Sequence, residues 1–384
     1  MARIAHLTSV HNANDPRILP KQVASAVRAG YDVTLIAPGA PPHHSEISTA
    51  ISFISLGELP GRYRRLLSLI RVFRVASSAG GDLYHFHDPE LIPVGFFLKR
   101  RTGAKIVYDM HEDYQWHGRF EGKLIRVLER WAFTWLDSVV FANPAHSKIG
   151  TSRCPAPTVV ENLHLVSEPD GTRQVPDDGR LRLVYSGVIS DSRGLQVLLR
   201  LGRVIQARNL PWSLDIIGVC FVDEQRRRAE DYVRRHGLSG VVNLVGWSSY
   251  VLPAEIDERQ RKAHVGLCLM DHHPRLRDVI PTKFYEYLGH GLPIVCSDIP
   301  EWKDFVDVNR CGIAVDPSDV AAVTNALERL TADIDLYDEL ARGARAAGGR
   351  FHWSRAEVSL LNLYRDLLSE DNSERESSAY VSAS

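Results

Sequence analysis

Two hydrophobic periods alternate along the first half of the chain. Ile4 to Leu7 is a short apolar run, a helical pattern follows from Arg17 to Ala29, Gly30 ends it, and Val33 to Ala37 is a second apolar run. The scheme continues with Leu83 to Phe86, a helical pattern over Glu90 to Arg101, Lys105 to Tyr108, a helical pattern over Lys123 to Trp135, and Ser138 to Ala142. Short apolar runs separated by helices predict parallel strands, with helices on both faces of the sheet.

The second half restarts the pattern. Strands are predicted at Leu181 to Tyr185, Ser213 to Ile217, Val241 to Val245, Val265 to Leu269, Pro293 to Cys296 and Gly312 to Val315, with helices over Leu195 to Ala207 and Asp223 to His236. Ser167 to Asp178 is rich in Pro, Gly, Asp and Ser and reads as a linker. A chain of 384 residues exceeds one ordinary core. The expected fold is α/β, with two Rossmann-like doubly wound domains at 1–168 and 179–350 facing across a cleft. Residues 370–384 are polar and expected to be disordered. In open parallel sheets, ligands sit beyond the carboxyl ends of the strands.

Composition narrows the class. Apolar residues make up 44% and charged residues 24%, the balance of a globular protein. Forty-six basic against 47 acidic side chains leave the chain near neutral, which argues against a nucleic-acid binder. The five cysteines form no C-x-x-C pair, disulfide framework or zinc pattern, so a reducing, cytoplasmic setting fits. The N-terminus is too short and polar for a signal peptide, and no stretch of about 18 apolar residues exists. Gly61 to Ser78 mixes five arginines with leucines, Ile70 and Phe73. It reads as a sheet-covering helix with a solvated basic face, ahead of a membrane-surface helix.

Candidate chemistry falls in loops just after strands. In the stretch Asp278 to Val306, Pro281 suits a helix's first turn, and Lys283, Glu286 and His290 share one face by their spacing. A helix N-terminus with a lysine in its first turn suits an anionic group. Glu286 is placed to accept ribose hydroxyls, and Asp278, in the preceding loop, to hold sugar hydroxyls. The plainer alternative is a surface Lys–Glu pair worth under about 0.5 kcal/mol. In Val184 to Leu199 a strand runs into a small-residue loop, where Gly187 permits close backbone approach. Arg193 can pair with phosphate oxygens, or else faces solvent at a tight turn.

Asp15 and Arg17 lie where the first loop meets its helix, as cleft or acceptor contacts or as an Asp N-cap ahead of a proline. Two further strands end in His87-Asp88 and in Asp109 to Glu112. The first reads as an N-cap and helix start. His111, in the second, ends a buried strand on the predicted cleft side, although a lone histidine is more often structural. Asn143 and Asn162 follow the next strand and precede the linker. There is no D-x-D motif flanking a strand and no H-E-x-x-H motif, so no metal is expected.

The stretch from Asp278 to Val306 resembles the donor-site signature of the retaining glycosyltransferase family 4 (glycosyl transferases group 1, GT-B fold). That signature carries an E-x7-E pair, and Pro281-Thr282-Lys283 with Glu286-Tyr287 is similar to its P-T-K-x-x-E-Y variants. The first acidic residue here is Asp278 rather than Glu. The Gly187 loop ending in Arg193-Gly194 is similar to the family's diphosphate loop, with Val188 where many members have an arginine. Asp109-x-His111 matches the family's D-x-H element, whose histidine approaches the transferred sugar. Trp353 and the helix after it resemble the family's C-terminal helix, which implies that 351–369 crosses back to the first domain.

The resemblance covers nearly the whole chain. It implies a hexosyltransferase that retains anomeric configuration, moving sugar from a nucleotide-diphosphate donor to a glycan or lipid-linked acceptor in bacterial surface polysaccharide or glycolipid synthesis. It implies no cofactor. Arg193 and Lys283 would neutralise the diphosphate, with Gly187, Thr282 and Glu286 around the donor. Asp278 and His111 would orient the sugar, and Asp15, Arg17 and Asn143 would line the acceptor side. A lipid-linked acceptor would bring the protein to the inner face of the plasma membrane. The alternatives are a nucleotide-sugar epimerase, a phosphorylase (which would need a pyridoxal lysine), or an impaired nucleotide-sugar-binding protein of the same fold.

Overall fold

The computed structural model describes residues 1–42, 45–57, 65–110, 119–144, 157–166, 180–249, 251–276 and 278–382. The chain divides into two compact units, Met1–Asn162 with Trp353–Ser384, and Leu163–His352.

The first unit is built on β1 (Arg3–Leu7), β2 (Asp32–Ala37), β3 (Ser52–Ser55), β4 (Leu83–Phe86), β5 (Lys105–Met110), β6 (Ser138–Phe141) and β7 (Pro157–Val159). The strands are all parallel, in the order β3-β2-β1-β4-β5-β6-β7. Both edge strands escape the hydrophobic pattern because they are short and only partly buried. The first helical segment opens as a wide turn, Ile18–Val23, before α1 (Ala24–Arg28). Gln22 N–H reaches back five residues to the Arg17 carbonyl, and Pro20 within the turn has no N–H to give. α2 (Arg65–Ala79), α3 (Ile92–Thr102) and α4 (Arg119–Ala132) follow. α2 lays Val72 and Ala76 on the sheet and leaves Arg71 and Arg74 exposed, as a sheet-covering helix should. Gly61 to Arg64, ahead of it, lie outside the described residues.

The second unit contains β8 (Leu181–Ser186), α5 (Leu195–Ala207), β9 (Trp212–Ile217), α6 (Asp223–Arg235), β10 (Val242–Val245), α7 (Pro253–Lys262), β11 (Val265–Cys268), α8 (Thr282–Gly289), β12 (Ile294–Ser297), α9 (Pro300–Asn309), β13 (Gly312–Val315), α10 (Val320–Ala332) and α11 (Ile334–Arg350). Its sheet is parallel in the order β10-β9-β8-β11-β12-β13. The order reverses between β8 and β11, where a doubly wound sheet opens its binding crevice.

The last helix, α12 (Trp353–Ser382), packs in the first unit. Trp353 Nε1 donates to Ser25 Oγ at 3.0 Å, and the buried Tyr364 reaches the central strands. α12 runs on to Ser382 through residues expected to be disordered. Extending a helix that already exists needs no new nucleus.

Candidate functional site

The crevice between β8 and β11 brings together residues far apart in sequence. β8 ends at Ser186, and Gly187 follows with φ +123°. A Cβ on Gly218, after β9, would lie 1.9 Å from the Gly187 carbonyl oxygen, so the two strand-end loops touch as only glycine allows. The loop then folds under a short turn, Asp191–Arg193, to Gly194. There a Cβ would lie 1.9 Å from the Leu269 carbonyl in the loop after β11. This backbone contact draws the two loops at the reversal point together. Arg193 is exposed at the mouth of α5.

Lys283 enters from the other side, in the first turn of α8. It is only 5% exposed. Its Nζ lies 4.1 Å from the centroid of the Tyr185 ring, and 3.5 Å from where a Gly187 Cβ would stand. Tyr185 is held in turn by its hydroxyl, which donates to the Val188 carbonyl at 2.7 Å. Among the described residues the ammonium has no hydrogen-bond partner. A buried cation without an acceptor is costly and marks where an anion would settle. Both Lys283 and Arg193 act on the buried Cys268 thiol beneath them. Burial pushes that thiol up to about 11, and the two cations oppose the rise.

Glu286 sits one turn along α8, half-buried, where its Oε2 accepts from Gln260 Nε2 at 3.2 Å. The same Gln260 amide donates to Ser186 Oγ at 2.8 Å. The Ser186 N–H donates to the Tyr287 hydroxyl at 3.1 Å, and that hydroxyl donates to the Leu267 carbonyl at 3.3 Å. The carboxylate is therefore tied through α7 to the end of β8.

Asp278 is exposed in a left-handed turn, φ +59°. Trp302 Nε1 donates to the neighbouring Val279 carbonyl at 2.8 Å and pins that loop to α9. Thr282 is exposed at the first helical position, so Pro281, placed in the first turn from sequence, is instead the extended residue before it. α8 ends at Gly289, and His290 pairs with Asp257 at 3.1 Å rather than joining Lys283 and Glu286.

The first unit places its candidates differently. Asp15 Oδ1 accepts the backbone N–H groups of Arg17 at 2.8 Å and Ile18 at 3.0 Å, which is the capping role. Arg17, expected as a cleft or acceptor contact, is instead buried and paired within the first unit. It is 3% exposed, and its Nε and Nη2 donate to Asp109 at 3.1 and 2.9 Å, because a carboxylate at the end of a buried strand needs a counter-charge. Gln22 Nε2 also donates to Asp109.

Asp88 stands at the predicted N-cap, but its side chain does not cap. It accepts instead from Thr8 Oγ1 at 2.8 Å and from the Ser9 N–H at 2.6 Å. Asn143 is half-buried just after β6, and Asn162 Oδ1 accepts from Lys21 Nζ at 2.6 Å. His111 lies outside the described residues.

Around Asp109 is a buried polar group that the sequence did not suggest. His6 and His87 share a hydrogen bond of 3.0 Å, and His85 Nδ1 lies 2.6 Å from the Tyr364 hydroxyl. Burial holds the His6 and His85 rings well below their ordinary titration range, with His87 lowering both further. His85, His87 and Asp109 offer atoms within 4.8 Å of one another, as a metal set would. Arg17 already engages both Asp109 oxygens, so a divalent ion there would meet a guanidinium. A separate cavity of about 440 Å³ lined by Arg182, Asp215, Asn243 and Arg259 lies at the opposite strand ends. Its polar side chains pair with each other, Arg259 and Asn243 both donating to Asp215.

Each unit is a doubly wound α/β domain, and the second carries a buried lysine beside a glycine loop with a carboxylate one helical turn away. Residues 17–148 match the family described as Glycosyl transferase 4-like domain, and residues 180–333 the family Glycosyl transferases group 1. The chain belongs to these group 1 glycosyltransferases, family 4.

A D-inositol 3-phosphate glycosyltransferase of Acidothermus cellulolyticus is 38% identical over 80 residues, which is 21% of this chain and 18% of that one. The chain thus spans under a fifth of that relative's length. Sucrose-phosphate synthase from Thermosynechococcus elongatus superposes with a TM-score of 0.71 at 18% identity, covering 96% of this chain and 100% of that one. Anabaena HepE in complex with UDP and glucose superposes with a TM-score of 0.72 at 14% identity, covering 95% and 100%. These likenesses establish the GT-B fold.

Gln260, Tyr185 and Trp302 are the positioning residues that sequence reasoning missed. Gln260 stands within a run of charged residues, Glu255 to Lys262, and no local signal separates it from them.

Proposed function

We propose that this protein is a retaining hexosyltransferase that takes its sugar from a nucleoside-diphosphate donor bound in the second unit and passes it to a glycan or lipid-linked acceptor in surface polysaccharide or glycolipid assembly. One observation carries the proposal: the buried Lys283 ammonium, without a hydrogen-bond partner among the described residues, lies beside the Gly187 loop with Glu286 one helical turn away. The diphosphate would lie against the Gly187 backbone, between Lys283 and Arg193. Glu286, held by Gln260, would take the ribose hydroxyls. Asp278 would meet the sugar, and His111 and Asn143, both in the first unit, keep the sugar-orienting and acceptor-side roles that the family resemblance implies for them.

In the reaction the anomeric C–O bond to the diphosphate breaks, and the acceptor oxygen bonds to the same face. The departing phosphate oxygen takes the acceptor proton. The protein's part is positioning and neutralising charge, with the two cations in place of a metal. UDP is the first nucleotide to try, since the HepE neighbour is described with UDP and glucose.

The exposed Val188, where many family members carry an arginine, favours a second reading as a binding protein with weak turnover. Incubation with UDP-sugars and candidate acceptors, following nucleotide release, separates the two. Release with a new glycosidic bond supports the transferase. Tight binding without release supports the binder, and an epimer formed without release refutes both.

A further inference from the structure

We infer that the outer face of α3 and α4 in the first unit docks on an anionic lipid surface. Phe97 on α3 is 57% exposed, and Leu124, Val127 and Trp131 on α4 are 55%, 60% and 39% exposed. The α4 residues are spaced i, i+3, i+7 and form one stripe. Aromatic contacts join that stripe to α3 and α2: Phe96 lies 4.9 Å from Trp131 by ring centroids, and Phe97 lies 6.3 Å from Phe73. The patch is therefore one continuous apolar face and not scattered residues, which marks a surface meant to be covered.

Its charge selects the occupant. Arg100, Lys123 and Arg130 are exposed beside it, and Arg126 is half-buried. α3 has no acidic residue, and of the two on α4, Glu129 is buried, accepting from the Tyr108 hydroxyl. No ion pair joins those four cations to any described residue.

The surface helices of the second unit differ. There Arg226 pairs with Asp223, Arg234 with Asp231, and Arg259, Arg261 and Lys262 with carboxylates one turn away. A basic rim around leucine, valine and aromatic side chains suits the headgroup boundary of an anionic bilayer. A second copy docking through the same face would set cation against cation, which disfavours that occupant. The inference goes beyond the donor-site proposal and does not depend on it.

The test is sedimentation of the full chain with vesicles of phosphatidylcholine alone and of phosphatidylcholine mixed with phosphatidylglycerol, without any donor. Binding is expected to the mixed vesicles only, and to be reversed by high salt. Lys123→Ala with Arg130→Ala should weaken it roughly 25-fold, at about fivefold per cation. Val127→Asp should abolish it without lowering the melting temperature, since that side chain is already in solvent. Several results would overturn the inference: no binding to either vesicle, equal binding to both, or variants that bind like the parent. So would self-association that Val127→Asp removes without any vesicle binding. UDP binding measured on the same samples shows whether the donor site stands independently.

Discussion

Replacing Lys283 by methionine separates a functional cation from a structural one. The substitution keeps the stem that packs beside Tyr185 and deletes a buried ammonium that donates to no described residue. Without ligand, the loss of the cation–π contact, about 2 kcal/mol or somewhat more for a desolvated pair, opposes a desolvation penalty of several kcal/mol that disappears with the charge. The ligand-free melting temperature should therefore hold or rise. With a diphosphate in place the balance reverses. Opposite charges about 4 Å apart attract by roughly 4 kcal/mol at an effective dielectric of ~20. Removing one such stabiliser typically lowers turnover by about 100- to 1,000-fold.

The assay pairs nucleotide release with thermal unfolding, both with and without UDP. The parent should gain melting temperature on adding UDP, and Lys283→Met should gain little. Turnover within threefold of the parent would refute the role. So would a variant that loses activity only because it melts early while still taking up UDP.

Gln260→Leu should raise the donor KM about tenfold with a smaller change in kcat, because it frees Glu286 from Ser186 while leaving the cations in place; steady-state kinetics checks this. Asp109→Asn should cost about 3–5 kcal/mol of stability, measured by denaturant unfolding, because it strands the Arg17 guanidinium in the core. Acidification should also destabilise the first unit. His6 and His85 titrate below their ordinary 6.5 in the folded chain, so the unfolded chain binds more protons as pH falls past that value, and stability present at neutral pH is lost. Thermal melts from pH 7.5 down to 5 should show a falling midpoint, and a flat profile would remove the histidines from the account.

Read from left to right, the chain already specified two doubly wound α/β halves. Strand runs such as Ile294 to Cys296 and Val265 to Cys268 are buried on both faces, and that burial is written locally as unbroken hydrophobicity. Lys283 and Glu286 were legible for the same reason: they share one helix face, and helical spacing is a local property. Folding alone decided what each side chain meets. Tyr185 lies under Lys283, Gln260 steadies Glu286, and Arg17, expected as a cleft or acceptor contact, becomes the partner of Asp109, 92 residues away. Such pairings depend on strand order and on which loops converge at the reversal of each sheet. No periodicity along the chain carries that information, because it arises only when distant segments pack together.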